Sequence, residues 1–520
     1  MKPLSRFSYF AASFSAGFAL MVVELTAARV AAPFVGSSLY TWTSIIGTIL
    51  AGLTAGSWAG GAIIDRRPTP KTIALFFICS AAFIAVIPPL SRIAPRIVML
   101  ELPLPAVILI VSFALFFLPS LFLGAIYPAL LRLLSENPAF IGNDSGRLSA
   151  VWSIGGIIGV VIAGFFLIGF LGSSATLYWV AGLLFSLALF FFYPVCKEYA
   201  FLIVIFLLLV QIGGQPNGRR VLFADDSQYY KIRVVEATDP LSGKLRLLLL
   251  DADVHSIERP DGGHLDHYSE LSPVFGALNG GEIKNILLVG GGSYAIAKHF
   301  STDYPQAAIN VAEVDPAVVK TAERFFGLGD YPAIKTAFQD GRVFLRKNEE
   351  KYDLIFGDAF NSFVSIPRHL TTFESNELAK SRLNDGGIYA INFISALEGE
   401  NSPFFQSMAE TFRKSFPDFY VFAFGKKKDD PQNIILVGMK SAERIPVAAL
   451  KEKIARLKNG DYLSARLVGE NFTFAGAPVL TDDFAPTERL MSPLIKNYFR
   501  RFFSFYYFLI SRIDEKKPAG

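Results

Sequence analysis

The sequence predicts a multi-pass α-helical membrane domain followed by an α/β domain of the doubly wound kind, with a small β unit between them. Hydrophobic residues make up 52% of the 520-residue chain, and almost all of the apolar excess lies before Gly213. After that point, short apolar runs alternate with helical patterns, as they do in α/β sheets. One of these runs is followed directly by a glycine-rich turn, Gly290 to Gly292.

The N-terminal part contains six apolar segments long enough to cross a bilayer, which takes about 20 residues. They are predicted at 7–28, 41–64, 72–90, 105–131, 149–172 and 175–194. A seventh segment, Tyr199 to Gly213, is apolar but short, so six and seven crossings both stay open. The first segment is not predicted to be a cleaved signal peptide, because its apolar run exceeds signal length and ends in Glu24 and Arg29.

Two features of these segments concern packing and sidedness. Gly52, Gly56 and Gly60 follow the small-xxx-small spacing that lets helices approach closely. Arg66 and Arg67 lie in the second connection, which the positive-inside rule puts on the cytoplasmic side. The rule does not settle the side of the C-terminal part, which we expect in the cytosol because nucleoside cofactors are made there.

The C-terminal part is predicted to contain three domains. A small antiparallel β domain covers 216–275, an α/β domain covers 276–440, and a C-terminal extension covers 441–520. Strands are predicted near 285–289, 309–313, 334–339, 352–357, 387–393, 419–424 and 433–438, the last two as a hairpin. In the extension, an aromatic and basic segment at 497–513 fits either a membrane-surface helix or a helix packed on the domain.

The glycine turn and the acid that follows it predict a nucleoside-containing ligand. Gly290, Gly291 and Gly292 let the chain turn sharply and approach a ligand closely. Glu313 comes about 20 residues later, at the end of the next strand, where a carboxylate can accept hydrogen bonds from a ribose diol. A glycine turn alone is weak support, since such turns also serve purely structural connections.

Two further acids follow the next two strands, Asp340 in QDGR and Asp358 in YDLIFGDAF. The carboxyl ends of parallel strands meet at one edge of a sheet, so Glu313, Asp340 and Asp358 are expected to face one crevice. Each acid alone could instead be a helix N-cap. Asp358 would lie at the reacting end of the ligand, where it could act as a general base.

Composition argues against several other classes of function. The chain has two cysteines, which predict neither a disulfide framework nor a metal site. The net charge of +4 is not gathered into one basic stripe, so no nucleic-acid partner is expected.

Several segments together resemble the spermidine synthase (polyamine aminopropyltransferase) family, and its membrane-fused bacterial branch in particular. They are YSEL, LLVGGGS, VAEVDP, QDGRVFL, YDLIFGDAF, IPRHLTTFESNEL and LTDDFAPTERL, within about residues 225–490. The resemblance implies a small β unit followed by a class I methyltransferase-like, Rossmann-like domain. It also implies decarboxylated S-adenosylmethionine as co-substrate, an amine as acceptor and no metal.

The resemblance assigns roles to individual residues. Its cofactor side comprises the glycines Gly290, Gly291 and Gly292, the ribose acid Glu313, the adenine-contacting Asp340, Gly341 and Pro367, and the catalytic proton acceptor Asp358. Its amine side comprises Tyr268, Ser269, Ser293, Asn361, Asp482 and Asp483. The amine side departs from the family pattern, because Ser269 replaces a histidine, while Ser293 and Asn361 replace acids. Asp482 and Asp483 are the acids that could compensate.

The function expected from this resemblance is aminopropyl transfer to a putrescine-like amine by an enzyme of the cell (inner) membrane. Two alternatives stay open at this point: methyl transfer from intact S-adenosylmethionine, and a transporter whose C-terminal domain senses a nucleoside without catalysis. The expected partners are the small amine and the lipid bilayer, and a homo-oligomer is left open.

Overall fold

The computed structural model describes residues 5–495 except 37, 92–93, 95–96, 98–101, 136, 193–220, 240–242, 252, 261–266, 281–282, 360–366, 441–443, 470–471, 473 and 475. The chain divides into two compact units. One comprises Met1–Arg219 and Asp225–Lys231, and the other comprises Arg220–Ala224 and Ile232–Gly520. The predicted segments 199–213 and 497–513 lie outside the described residues.

The first unit is helical. Its helices are α1 (Arg6–Val35), α2 (Leu39–Arg66), α3 (Pro70–Ser91), α4 (Leu104–Leu134), α5 (Ile141–Ile162) and α6 (Ile168–Phe192), with a π-helical stretch, Ala163–Leu167, between the last two. Within the described part of the chain, five helical stretches are long and apolar enough to cross a membrane, the last being Ile141–Phe190. That stretch contains a non-helical Gly172 (φ 78°), at the predicted boundary between the fifth and sixth segments.

Glycines bring α2 and α4 into close contact, as their spacing predicts. A Cβ at Gly52 would lie 2.7 Å from the carbonyl oxygen of Phe117. Gly56 and Gly60 approach the α4 backbone in the same way, at Leu121 and Ala125. This stripe of small residues therefore serves helix packing.

A four-stranded sheet follows the helices, with strands β1 (Val221–Asp226), β2 (Lys231–Asp239), β3 (Gly243–Leu250) and β4 (Asp253–Glu258) in the order β1-β2-β3-β4, and most of its residues belong to the second unit. A short helical segment, His267–Leu271, and helix α7 (Ser272–Asn279) follow it. Leu247, Leu249 and Ala237 form the small apolar core of this sheet.

The larger sheet has seven strands: β5 (Asn285–Val289), β6 (Ala308–Ala312), β7 (Ile334–Ala337), β8 (Tyr352–Gly357), β9 (Leu383–Ser395), β10 (Phe419–Ala423) and β11 (Gln432–Met439). Their spatial order is β10-β11-β9-β8-β5-β6-β7. The strands from β5 to β9 pair in parallel, while β11 runs antiparallel to β9 and β10. The strand order reverses at β5, which is the topological switch point of a doubly wound sheet.

Helices that alternate with the strands along the chain pack against this sheet. They are α8 (Ala295–Asp303), α9 (Pro316–Phe325), α10 (Gly341–Lys347), α11 (Phe373–Ser381) and α12 (Pro403–Ser415), followed by α13 (Val447–Ala455) and α14 (Gly460–Arg466). Buried aromatic rings fix the helices on the sheet; Phe356 of β8 makes edge contacts with Phe275 of α7 and Phe300 of α8.

The strand predictions agree with the structure most closely where buried apolar runs are uninterrupted. The predictions at 285–289 and 352–357 coincide with β5 and β8. Strand β9 starts at Leu383 rather than 387, because its first residues pair with β8 through an irregular register around Gly386, where φ is 77°. The sequence Asn384-Asp385-Gly386-Gly387 is typical of a turn, which hides the strand start.

A buried ion pair joins the four-stranded sheet to the first helix after β5. Nζ of Lys298, on α8, donates to Oε2 of Glu258, at the end of β4, over 2.8 Å. It also donates to the carbonyl oxygen of Phe326 over 2.7 Å. Lys298 is 3% exposed and Glu258 is 2% exposed. Each charge therefore depends on the other for compensation.

Candidate active site

The glycine turn after β5 is tightly constrained. Gly290 and Gly292 have positive φ values, 96° and 53°. A Cβ at Gly290 would lie 2.6 Å from the carbonyl oxygen of Asp358 and 2.9 Å from Cα of Ala359. Both the backbone conformation and this close approach require glycine. The turn is thus packed directly against the segment that follows β8.

Glu313 fixes the turn from the neighbouring strand. Its Oε2 accepts a hydrogen bond from the backbone N–H of Gly291 over 2.8 Å, and its Oε1 accepts one from Asp315 N–H over 2.9 Å. Burial raises the pKa of this carboxyl, while the backbone hydrogen bonds oppose the shift. A carboxylate has about four lone-pair sites, more than these backbone hydrogen bonds occupy, so a hydroxyl group of a ligand can bind there as well.

Asp340 follows β7 and is the N-cap of α10. Its Oδ1 accepts hydrogen bonds from the backbone N–H groups of Arg342 and Val343, and its Oδ2 lies 2.8 Å from Nε2 of His369. The hydrogen bond with His369 is the main reason why the pKa of Asp340 is lowered. The N-cap role, an alternative to ligand binding in the sequence, is thus present, and it leaves Oδ2 directed at the histidine.

Asp358 follows β8 and is held by two side chains. Asn392 donates its Nδ2 to Oδ1 of Asp358 over 2.7 Å, and the Tyr268 hydroxyl donates to Oδ2 over 3.2 Å. Burial raises the pKa of Asp358 to about 6, although both hydrogen bonds act to lower it. A carboxyl with this pKa is ionised near neutral pH and accepts a proton more readily than an exposed aspartate does.

The three acids lie at the same edge of the sheet. Glu313, Asp340 and Asp358 follow the carboxyl ends of the adjacent parallel strands β6 and β7 and of β8, which pairs with β5. Backbone hydrogen bonds connect these strand ends: Gly290 N–H to Ala312 O, and Asp358 N–H to Val289 O. This is the edge at which doubly wound sheets bind their ligands.

The remaining residues expected to bind ligands are distributed as follows. Gly341 is the buried first residue of α10, and Pro367 directly precedes a short helical turn, Arg368–Leu370. Ser269 and Ser293 are 4% and 1% exposed. Asn361 lies outside the described residues. These assignments stay predictions about binding.

Asp482 and Asp483 were the acids that could replace the missing amine-binding carboxylates, but the structure shows Asp482 bound to other protein groups. Both carboxylate oxygens of Asp482 accept hydrogen bonds from Arg342, over 2.7 and 2.6 Å, and the Thr372 hydroxyl donates to Oδ1 over 2.8 Å. Arg342 is 8% exposed, whereas Asp483 is exposed. The Asp482 carboxylate therefore neutralises a nearly buried guanidinium, which leaves it a weak candidate for binding an amine.

Besides Thr372, three side chains that the sequence did not predict contact the predicted site residues: Asn392, His369 and Arg342. A signal existed for Asn392, a polar residue in the middle of the apolar run Tyr389–Ile394. The sequence held no such signal for His369 or Arg342. His369 is 29 residues from its partner Asp340, and Arg342 is 140 residues from its partner Asp482. Within the described ranges, no group of three or more His, Cys, Asp or Glu side chains could hold a metal ion.

The strand order and the antiparallel β11 define a class I methyltransferase-like, Rossmann-like domain, and this part of the fold prediction is confirmed. Residues 265–425 match the family model described as "Spermine/spermidine synthase domain". This part of the chain is therefore similar to the spermine/spermidine synthase family.

Individual relatives agree with this family. A polyamine aminopropyltransferase of Vibrio vulnificus is 30% identical over 142 residues, which are 27% of this chain and 46% of that protein. One of Serratia proteamaculans is 25% identical over 240 residues, 43% of this chain and 80% of that protein. The crystal structure of a probable spermidine synthase from Corynebacterium glutamicum is similar with a TM-score of 0.40 and 19% identity, covering 49% of this chain and 95% of that one. The chain thus spans less than half of the Vibrio relative.

Proposed function

We propose that this protein transfers an aminopropyl group from decarboxylated S-adenosylmethionine to an amine and releases methylthioadenosine. The observation that carries the proposal is Asp358, a partly buried carboxyl with a pKa raised to about 6, held against the glycine turn of a nucleoside-binding sheet edge. The names of the relatives, polyamine aminopropyltransferases, support the same reaction.

The adenosyl group has a consistent set of binding residues. Glu313 would accept hydrogen bonds from the ribose hydroxyls, and Gly290–Gly292 would allow the close approach of the nucleoside. Asp340, Gly341 and Pro367 would lie around the adenine. The Glu313 carboxylate accepts backbone hydrogen bonds and has lone pairs beyond them, which fits this role.

The transfer itself requires a deprotonated nucleophile. The lone pair of the amine nitrogen attacks the methylene carbon next to the sulfonium, a C–N bond forms, and the C–S bond breaks with its electron pair passing to sulfur. The nitrogen then carries one proton too many, and Asp358 accepts it. Alignment of nitrogen, carbon and sulfur supplies much of the remaining rate gain.

A second candidate is methyl transfer from intact S-adenosylmethionine. It is favoured by the state of the predicted amine side, where Ser269 and Ser293 are neutral and Asp482 is bound to Arg342. A diamine carries two positive charges that need carboxylates or aromatic faces to replace their hydration. The same sheet edge would serve the methyl reaction, with only the attacked carbon changed.

Product identity distinguishes the two reactions. The full-length chain, purified in detergent, is incubated with either adenosyl donor and a panel of amines, and the nucleoside product is identified by mass spectrometry. Methylthioadenosine, formed only from the decarboxylated donor, is expected. S-adenosylhomocysteine would establish the methyl alternative, and absence of both products would reject both reactions. The variant Asp358→Asn is the matched control and should bind methylthioadenosine while forming no product.

We further propose that the helical unit anchors the enzyme in the cell membrane, with the transferase domain in the cytosol. The five apolar helical stretches of the described chain support an anchor. A reporter that fluoresces only in the cytosol, fused after Gly520, tests the sidedness; a dark fusion that is nevertheless expressed would place the domain outside.

A further inference from the structure

We propose that Asn392 recognises the attacking amine: its Nδ2 holds Asp358, and its Oδ1 accepts a hydrogen bond from an N–H of the acceptor nitrogen. The inference deepens the proposed transferase function and rests on it. It adds a specificity-determining residue and selects the acceptor class, a primary rather than a secondary amine.

The strand register puts Asn392 beside Asp358. Strands β8 and β9 are parallel, and Gly357 pairs with Ile391. The next residues along the two strands are Asp358 and Asn392, whose side chains meet at the carboxyl edge over 2.7 Å. An ionised carboxylate can only accept hydrogen bonds, so the amide must turn its Nδ2 toward Asp358.

That orientation leaves the other end of the amide without a partner. Asn392 is 5% exposed, and its Oδ1 is buried with no hydrogen-bond partner among the residues described. A buried carbonyl oxygen without a donor is unfavourable and is uncommon in folded proteins. A donor that arrives with the substrate would satisfy it.

The chemistry of the two substrates indicates which one brings the donor. The adenosyl substrate also has N–H groups, on its adenine and at the end of its aminopropyl chain, but none on the methylene carbon that is attacked, and its ribose and adenine are expected at the tips of β6 and β7. The attacking nitrogen must lie within reach of Asp358, and so near the Asn392 amide. An amide oxygen pairs well with the N–H of an amine that has already lost its charge.

The number of N–H groups then restricts the acceptor. When a neutral primary amine attacks, the C–N bond forms, the C–S bond breaks, and the nitrogen is left with two N–H groups. One proton passes to Asp358, and the other N–H stays hydrogen-bonded to Oδ1 of Asn392. A secondary amine is left with only one N–H, which Asp358 takes, so the Asn392 oxygen stays unpaired. A site with an unpaired buried acceptor discriminates against the ligand that lacks the donor.

A matched control lies on the same two strands. Asn384, near the start of β9, donates its Nδ2 to Oδ1 of Asp353 on β8, also over 2.7 Å. This pair repeats the Asn392–Asp358 contact near the opposite ends of strands β8 and β9. The variants Asn392→Ala and Asn384→Ala therefore remove the same interaction, and only the first is next to the proposed base.

The experiment measures kcat/KM for methylthioadenosine formation by the full-length protein in detergent, and putrescine binding by calorimetry with methylthioadenosine bound. The acceptors are putrescine and N,N′-dimethylputrescine, in which both nitrogens are secondary. The kcat/KM of the wild type should be at least tenfold higher for putrescine than for the dimethyl compound, because only the deprotonated primary amine has an N–H for each acceptor. Asn392→Ala should weaken putrescine binding about tenfold and abolish this preference in kcat/KM, while Asn384→Ala should leave the affinity and the preference unchanged.

The pH dependence of turnover separates a direct role from a structural one. Among the described residues, the Tyr268 hydroxyl and the Asn392 amide donate hydrogen bonds to the Asp358 carboxylate. Since the Asn392 hydrogen bond lowers the pKa of Asp358, its removal should move the acidic limb of kcat/KM to higher pH. Asn384→Ala should leave the limb in place.

The outcomes separate this inference from the proposed function. Equal kcat/KM for both amines with the wild type, or no amine binding, would overturn the inference without requiring any variant to fold. Unchanged binding by Asn392→Ala would overturn it as well. Binding that depends on Asn392 but produces no methylthioadenosine would reject the transfer reaction and leave the recognition role standing.

Discussion

Replacing Asp358 by asparagine is expected to stabilise the protein at alkaline pH while removing its activity. The pKa of Asp358 rises from its ordinary value of 3.8 to about 6 on folding, mainly because the carboxyl is buried. A raised carboxyl pKa means that the folded state holds the proton more tightly than the unfolded state. The ionised form therefore destabilises the folded protein, and the destabilisation grows as the pH rises through about 4 to 6.

The magnitude follows from the shift. A change of about 2 pKa units at about 1.4 kcal/mol per unit gives about 3 kcal/mol of destabilisation above pH 6. Asp358→Asn removes the buried charge. If the Asn392 amide rotates by 180°, its Oδ1 can accept a hydrogen bond from the amide nitrogen of the introduced asparagine. For a domain of about 150–250 residues this corresponds to roughly 6–12 °C in the unfolding temperature.

Thermal unfolding of the full-length protein in detergent, followed by intrinsic fluorescence between pH 4 and pH 8, measures the difference. The variant should unfold at a higher temperature than the wild type at pH 8, and the two should converge near pH 4. Asp340→Asn is a control of opposite sign, because the pKa of Asp340 is lowered and its carboxylate stabilises the fold at neutral pH. A variant Asp358→Asn that is no more stable than the wild type at pH 8 would refute the reasoning.

Three further predictions concern stability and binding. Lys298→Met should destabilise the protein by about 3–5 kcal/mol in thermal or denaturant unfolding, because the buried Glu258 loses its ion-pair partner; the double variant with Glu258→Leu should recover most of this loss, and no recovery would contradict the pairing. Gly290→Ala should abolish methylthioadenosine binding in calorimetry, since its Cβ would collide with backbone atoms; unchanged affinity would exclude the tight turn. Asp482→Asn should leave putrescine affinity unchanged, because Asp482 is bound to Arg342, and a tenfold weaker affinity would return Asp482 to the amine site.

The fold was predictable from sequence because its signals are local. Uninterrupted apolar runs defined β5 and β8, and the two positive-φ glycines after β5 marked the turn. The start of β9 was missed, because Asn384, Asp385 and the two glycines that follow favour a turn, and they lie in a register irregularity between the pairs that Leu383 and Ile388 make with β8. Tertiary pairing here overrides local preference.

The candidate site was predictable in its acids but not in the residues that tune them. Glu313, Asp340 and Asp358 each follow a strand, so their shared edge follows from topology. The Asn392 contact depends on strand register, and the ion pair of Arg342 with Asp482 joins segments 140 residues apart. No local pattern encodes either contact, which is why Asp482 looked free in the sequence.

Gly290 packs so closely against the backbone of Asp358 that not even a methyl group fits between them. This contact restricts which parts of the site can change during evolution. The loop proposed to bind the nucleoside and the residue proposed to accept the proton cannot be adjusted separately, since a displacement of one is transmitted to the other. New acceptors are thus expected to be accommodated through Tyr268 and Asn392, whose side chains can change without disturbing that junction.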